Sequence, residues 1–333
     1  MKKSLLALAV LGTFAGVASA QSSSVTLFGI VDLSARSVKN GSTTQKQLAQ
    51  DGYNSSRLGF RGVEDLGGGM SAGFWIEGAI NPDIGTSGGQ SWQRRSTVSL
   101  MGGWGELRLG RDYTPSFWNT TIFDPFGTNG VGAFTNISNN VLGTGATTYV
   151  RANNSVGYFL PGNLGGLYGQ VQTSAGEGIN ANKQTSARIG YAAGPINVAA
   201  SFGKTDTTPT EYKHNNIAGS YNMGFMTLML QYDMSDAGPR EQKTWLLGAV
   251  VPMGQGELHA SYVKGDQNGA GTDANDATQF AIGYVYNLSK RTAMYGTYSQ
   301  LKNDGAAAFV VGGVGSAAGT KSTGYEVGLR HAF

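Results

Sequence analysis

Apolar and polar residues alternate along most of this chain with a period of two. From Met226 to Asp233, Met226, Leu228, Leu230 and Tyr232 fall on one side, and Thr227, Met229, Gln231 and Asp233 on the other. Leu258, Ala260 and Tyr262 alternate with His259 and Ser261, and Ala187, Ile189 and Tyr191 with Arg188, Gly190 and Ala192. An extended strand turns successive side chains to opposite faces, so the pattern predicts strands with one apolar and one small or polar face. About sixteen such segments are expected. The first eight lie near 25–37, 54–65, 70–80, 91–101, 104–112, 148–160, 166–175 and 184–193. The others lie near 195–205, 213–223, 225–235, 241–252, 256–266, 276–288, 291–302 and 321–333. Their lengths suit the ~9–11 residues with which a tilted strand crosses a bilayer.

The connections alternate in length. Short turns are expected at 66–69, 102–103, 162–165, 194–195, 223–224, 254–255 and 287–290. Long polar loops fall at 38–53, 81–90, 176–183, 206–212, 267–275 and 303–320. Short turns at one end and long loops at the other are the pattern of outer-membrane barrels. A soluble sandwich gives no reason for every second loop to be long. The expectation is an all-β, antiparallel transmembrane barrel with long extracellular loops.

Residues 1–20 read as a secretory signal peptide. Lys2 and Lys3 precede an apolar stretch from Leu5 to Val17, and Ala18-Ser19-Ala20 offers small residues for cleavage. Residues 21–333 then form one barrel domain. Beyond the leader the longest apolar run, Trp245 to Met253, has nine residues, far short of the ~20 a membrane helix requires.

Composition narrows the chemistry. The chain has no cysteine, so disulfides, thiolate catalysis and cysteine-held metals are excluded. His214, His259 and His331 are scattered without metal-ligand spacing, and no Gly-x-Ser-x-Gly nucleophile motif occurs. No enzyme, cofactor or metal is expected. Removing Lys2 and Lys3 from a formal net charge of +3 leaves +1, too little for a nucleic-acid partner.

Three stretches resemble the Gram-negative trimeric porins, in particular the general-diffusion porins of β-proteobacteria. They are Val25-Thr26-Leu27-Phe28-Gly29-Ile30-Val31-Asp32, Ser56-Arg57-Leu58-Gly59-Phe60-Arg61-Gly62-Val63-Glu64-Asp65-Leu66-Gly67, and the ending Tyr325-Glu326-Val327-Gly328-Leu329-Arg330-His331-Ala332-Phe333. Tyr325, Val327, Leu329 and Phe333 resemble the signal read by the barrel-assembly machinery. The resemblance implies a 16-stranded barrel, a homotrimer set in outer-membrane lipid and lipopolysaccharide, and a third loop folded into the lumen. It also implies passive passage of small hydrophilic solutes and ions. The small outward residues Gly29 and Ala35 of the first strand suggest a close subunit contact.

Residues 113–147 make the longest loop, and a loop of that length calls for a functional reason. The resemblance places its tip, Asp124-Pro125-Phe126-Gly127, at the pore constriction, although here the acid precedes the proline. It also places Arg57, Arg111 and Arg151 on the wall opposite. Strand parity independently turns Arg57, Arg61, Arg95 and Arg151 inward. Arg111 shares the phase of Leu107 and Leu109 and fails that test. Either a bulge at Gly110 resets the phase, which is the preferred reading, or the resemblance stops short of Arg111.

Arginines facing Asp124, Asp112 and Glu77 would create a field across the pore with a weak to moderate preference for anions. Arg94 and Lys213 read instead as rim residues for lipopolysaccharide phosphates. The alternative function is a substrate-specific channel for phosphate, an organic anion or a sugar. Against it, only Phe28, Tyr168 and Trp75 put aromatics on the inward phase, too few for a sugar slide.

Overall fold

The computed structural model describes residues 23–86, 91–179, 181, 183–269 and 271–333. The expected signal peptide lies outside the described residues. Among the described residues the strands are β1 (Ser24–Asn40), β2 (Thr43–Ala49), β3 (Arg57–Gly67), β4 (Met70–Ala79), β5 (Arg95–Gly102) and β6 (Gly105–Tyr113). Then follow β7 (Arg151–Phe159), β8 (Leu167–Ser174), β9 (Gln184–Ala193), β10 (Ile196–Thr205), β11 (Tyr212–Asn222) and β12 (Thr227–Ala237). The last are β13 (Arg240–Met253), β14 (Gly256–Gly269), β15 (Ala277–Asn287), β16 (Thr292–Asn303) and β17 (Lys321–Ala332).

Every neighbouring pair is antiparallel, and β17 returns to β1 with Ile30 opposite Ala332 and Asn40 opposite Ser322. Gly29 and Phe333 complete the seam by exchanging backbone hydrogen bonds of 3.1 and 3.0 Å. A closed ring leaves no edge whose amides would need water inside the bilayer.

The ring has sixteen staves although seventeen strands are counted. β2 and β3 are the upper and lower parts of one stave, both paired with β1. The sequence 43–49, read as loop, is therefore strand. Residues 50–56 break the stave and are held by Asp32, whose Oδ2 accepts from the backbone amides of Tyr53 (3.1 Å) and Asn54 (2.7 Å).

The two faces invert the usual arrangement of a soluble protein. Leu230 is 61% exposed and its neighbour Gln231 only 2%. Ile217, Trp245, Leu247, Tyr262 and Phe280 likewise point outward, while Asn216, Thr244, Ser261 and Gln279 are buried inside. So broad an apolar outer face is stable against lipid, not water. Tyr325, Val327, Leu329 and Phe333 form one outward row on β17. Short turns close the lower end, as where Gly67, Gly68 and Gly69 all take positive φ between β3 and β4.

Gly29 packs within the seam of its own barrel. A Cβ there would lie 2.4 Å from the Phe333 ring and 2.9 Å from the Arg57 carbonyl oxygen. The missing side chain makes room for the last residue of the same chain.

Candidate pore constriction

The segment between β6 and β7 is folded, not extended: it carries helices α1 (Pro115–Ile122) and α2 (Thr135–Ser138). Thr114 caps α1 by accepting from the Phe117 amide at 3.2 Å, with Pro115 in the first turn where no amide proton is needed. Phe117 packs with Tyr149 and Tyr212, and Phe123 with Ala199 and Ala218. Arg188 Nε donates to Asn119 Oδ1 at 2.8 Å. These contacts set α1 against the inner faces of β9, β10 and β11.

The second half of the loop crosses to the other wall. Gln242 donates to the Ile137 carbonyl (2.9 Å), Gln279 to the Gly132 and Ala133 carbonyls (3.0 and 3.1 Å), and the Val131 amide to Glu326 Oε1 (3.1 Å). His259 Nδ1 lies 2.6 Å from the Pro125 carbonyl oxygen. A carbonyl only accepts, so Nδ1 carries the proton. All these partners sit on inward strand positions, so the loop occupies the barrel interior.

Asp124 holds the loop's own fold and does not line the pore. Its carboxylate accepts from the amides of Phe126 (3.0 Å), Thr128 (2.9 Å) and Phe134 (2.9 Å) and is buried. Burial pushes the carboxyl above its ordinary value even against those donors. Pro125 packs toward Gly248 and Phe126 toward Gly283 and His259. Of the four expected tip residues, only Gly127 reaches the open chamber.

That chamber encloses about 460 Å³. On the barrel side it is lined by Arg57, Arg94 and Arg151, and on the loop side by Thr121, Gly127, Thr128, Asn129 and Asn139. No carboxylate lines it among the described residues. The expected field between arginines and loop acids is therefore replaced by one between arginines and neutral hydroxyls and amides.

Glu77 organises the arginines from behind. Its Oε1 lies 2.6 Å from Arg94 Nε and 3.4 Å from Arg57 Nη1, and its Oε2 accepts from Trp75 Nε1 at 3.1 Å. Arg57 Nε also donates to the Ser55 carbonyl (2.8 Å), and Arg151 Nε to the Arg94 carbonyl (2.8 Å). The Arg151 guanidinium lies 4.1 Å from the centre of the Tyr113 ring. Two cations share one carboxylate and Arg151 stands beside them, which leaves a local positive excess that low-dielectric walls focus into the opening.

Arg94 is therefore a chamber residue, not a rim residue. It precedes β5 by one position, where strand parity has no meaning. Its amide bonds to the Glu77 carbonyl at 3.0 Å.

Arg61 and Arg95 lie lower, in a separate cavity of about 350 Å³ on the short-turn side. Arg111 lines neither cavity. Its Nη1 donates to Asn153 Oδ1 at 2.6 Å, and its Nε to the Gln93 carbonyl. The register does shift beside it, between Gly110 and Asp112. The extra residue, however, sits on β7 at Asn153–Asn154, where Asn154 has φ 52. β6 keeps its phase, as the Arg108–Asp112 ion pair of 2.6 Å shows, and Arg111 stays on the face of Leu107 and Leu109. A cavity of about 610 Å³ lies on the outer face between Val171 and Phe202, away from the lumen.

An arginine-lined passage through a closed sixteen-stave barrel, narrowed by an internal loop, defines a diffusion channel. The model of the Gram-negative porin family matches residues 7–306, and the chain belongs to that family. Outer membrane porin protein 32 of Delftia acidovorans is 39% identical over the full length of both chains. An outer membrane porin protein of Bordetella pertussis is 30% identical, again over both full lengths. Among solved structures, the anion-selective porin of Comamonas acidovorans superposes with a TM-score of 0.85 at 37% identity, over 94% of this chain and 100% of that one. The protein is thus a passive outer-membrane channel for small hydrophilic solutes, and not an enzyme.

Proposed function

We propose that this channel prefers anions, weakly to moderately, and that Arg57, Arg94 and Arg151 set the preference. One observation carries the reading: among the described residues, three guanidiniums and no carboxylate line the chamber where the internal loop narrows the barrel. A hydrated anion passing there meets positive charge on one side and hydroxyl and amide groups on the other, and a cation meets no compensating acid. The anion-selective porin of Comamonas acidovorans, similar over nearly the whole chain, supports the same direction. The test is the zero-current potential of the purified protein in a planar bilayer under a KCl gradient. An excess of chloride over potassium permeability is expected, and a clear excess of potassium permeability would refute the assignment.

The assembled form is read as a homotrimer, cleaved after Ala20, set among lipid and lipopolysaccharide and inserted by the barrel-assembly machinery. An outer membrane protein of Vibrio cholerae with the same fold is known in a trimer form. The exposed apolar row of Tyr325, Val327, Leu329 and Phe333 on β17 supports a surface recognised before lipid covers it. Mass measurement in detergent, before and after heating, tests the trimer.

A further inference from the structure

The two sides of the chamber meet at Ser55. Its carbonyl accepts from Arg57 Nε at 2.8 Å on the barrel side, and its hydroxyl donates to Asn129 Oδ1 at 2.8 Å on the loop side. Ser55 belongs to no strand. It lies in residues 50–56, the break between β2 and β3, and both Asn54 and Ser55 line the chamber. A segment without ladder hydrogen bonds takes its course from whatever satisfies its amides.

Here that is Asp32, wholly buried on β1. Its Oδ2 accepts from the Tyr53 and Asn54 amides at 3.1 and 2.7 Å, and its Oδ1 from the Tyr295 hydroxyl of β16. The backbone of the same residue holds Ser56, whose Oγ accepts from the Asp32 amide at 2.9 Å and donates to the Asp32 carbonyl at 3.0 Å. The Ser56 amide closes the break on the Gln50 carbonyl at 3.0 Å. Gly52 lies flat against the Tyr295 ring, with no room for a Cβ. Gly130 of the internal loop, at φ 66, approaches the Gly52 carbonyl too closely for a Cβ of its own. The residues on both sides of Ser55 are thus fixed from β1 and β16, and the internal loop rests on them at Gly52 and Ser55.

We propose that Asp32 is a positioning residue for the constriction. It acts through residues 50–56 as a latch that sets the spacing between Arg57 and the internal loop, and so the conductance and ion preference of the channel. Its carboxylate does not itself line the chamber. The effect on ion preference rests on the anion-preferring reading of the channel; the effect on conductance does not. Charge and position pull in opposite directions. Loss of a negative charge beside the pore would by itself raise the preference for chloride. A slackened chamber lets ions pass farther from the arginines, where water and salt screen them, and lowers that preference. Asp32→Asn removes the charge and keeps the latch: its amide oxygen accepts from Tyr53 and Asn54, and the Tyr295 hydroxyl can accept from its Nδ2. Asp32→Ala removes both.

The test reads single channels in planar bilayers, from full chains refolded into detergent. Asp32→Ala conducts more, with a noisier open current, and its chloride-to-potassium permeability ratio falls toward one. Asp32→Asn keeps the parent's conductance and a ratio no lower than the parent's. Ser55→Gly, which removes only the hydroxyl joint, moves conductance in the direction of Asp32→Ala and decides the matter if that variant does not refold. Ser55→Cys with Asn129→Cys supplies a strut across the joint, in a chain with no other cysteine. In Asp32→Ala carrying the oxidised pair, a reducing agent raises conductance and noise; with Asp32 intact it raises them far less. Parent-like conductance in Asp32→Ala or in Ser55→Gly overturns the latch. Equal shifts in Asp32→Ala and Asp32→Asn overturn it too, since charge would then be the cause. Absence of chloride preference in the parent would instead refute the reading of Arg57, Arg94 and Arg151, with the conductance of the same variants still deciding the latch.

Discussion

Arg94 Nε lies 2.6 Å from Glu77 Oε1, the oxygen that also faces Arg57 Nη1 at 3.4 Å. One carboxylate therefore both gathers two of the chamber's cations and cancels part of their charge. Glu77→Gln keeps the shape and the Trp75 hydrogen bond but removes the charge. Opposite charges ~4 Å apart interact by about 1 kcal/mol even in water. The chloride-to-potassium permeability ratio should rise severalfold, and zero-current potentials measure it. A fall in that ratio would mean that Glu77 only holds the arginines in place.

The internal loop depends on Asp124 more than on any tip contact with water. Asp124→Ala leaves the buried amides of Phe126 and Phe134 and the half-buried amide of Thr128 without an acceptor. Each buried donor left unsatisfied costs about 1–3 kcal/mol. Single-channel records of Asp124→Ala should show higher and noisier conductance. The sign of ion selectivity should persist, because the arginines are on the wall. Records like the parent's would show that the loop is held elsewhere.

Glu326 ties the loop's far end to the barrel seam. Its Oε1 accepts from the Val131 amide at 3.1 Å, and its Oε2 lies 2.7 Å from Arg36 Nε. Both side chains are buried, and removing one partner of a buried ion pair costs about 3–5 kcal/mol. Glu326→Ala should lower the temperature at which the barrel loses its compact gel mobility. Glu326→Gln, which keeps the acceptor for Val131, should lower it less.

How far the sequence could be read follows from where each residue sits. β9 runs over the residues that alternation marked, because Ile189 and Tyr191 meet lipid while Arg188 faces the lumen. β2, Thr-Thr-Gln-Lys-Gln-Leu-Ala, is almost wholly polar and carries no alternation of apolar and polar residues that would mark it as strand. Arg94 and Asp124 lie outside strands, where parity says nothing and tertiary hydrogen bonds decide. Residues 50–56 carry no signal of their own: Asp32, far away in sequence, draws their amides inward. At Gly110 the irregularity was legible, but not that the facing strand would absorb it.

The seam between first and last strands makes its own prediction. Gly29→Val places a side chain against the Phe333 ring and the Arg57 carbonyl, 2.4 and 2.9 Å from its Cβ. Overpacking of this kind costs about 1–3 kcal/mol. The yield of heat-modifiable barrel on refolding the purified chain into detergent, where no assembly machinery takes part, should drop, and Phe333→Ala in the same chain should recover part of it. No recovery would locate the damage at the Arg57 backbone alone.

The central claim concerns charge in the chamber, and neutralising the chamber tests it most directly. Arg57, Arg94 and Arg151 are replaced together by Gln, with Glu77→Gln included so that no buried carboxylate is left unpaired. The zero-current potential is then compared with the parent's under the same KCl gradient. The account predicts that the chloride preference falls to near parity while the channel still conducts. A preference equal to the parent's would contradict it and move the selectivity elsewhere in the lumen.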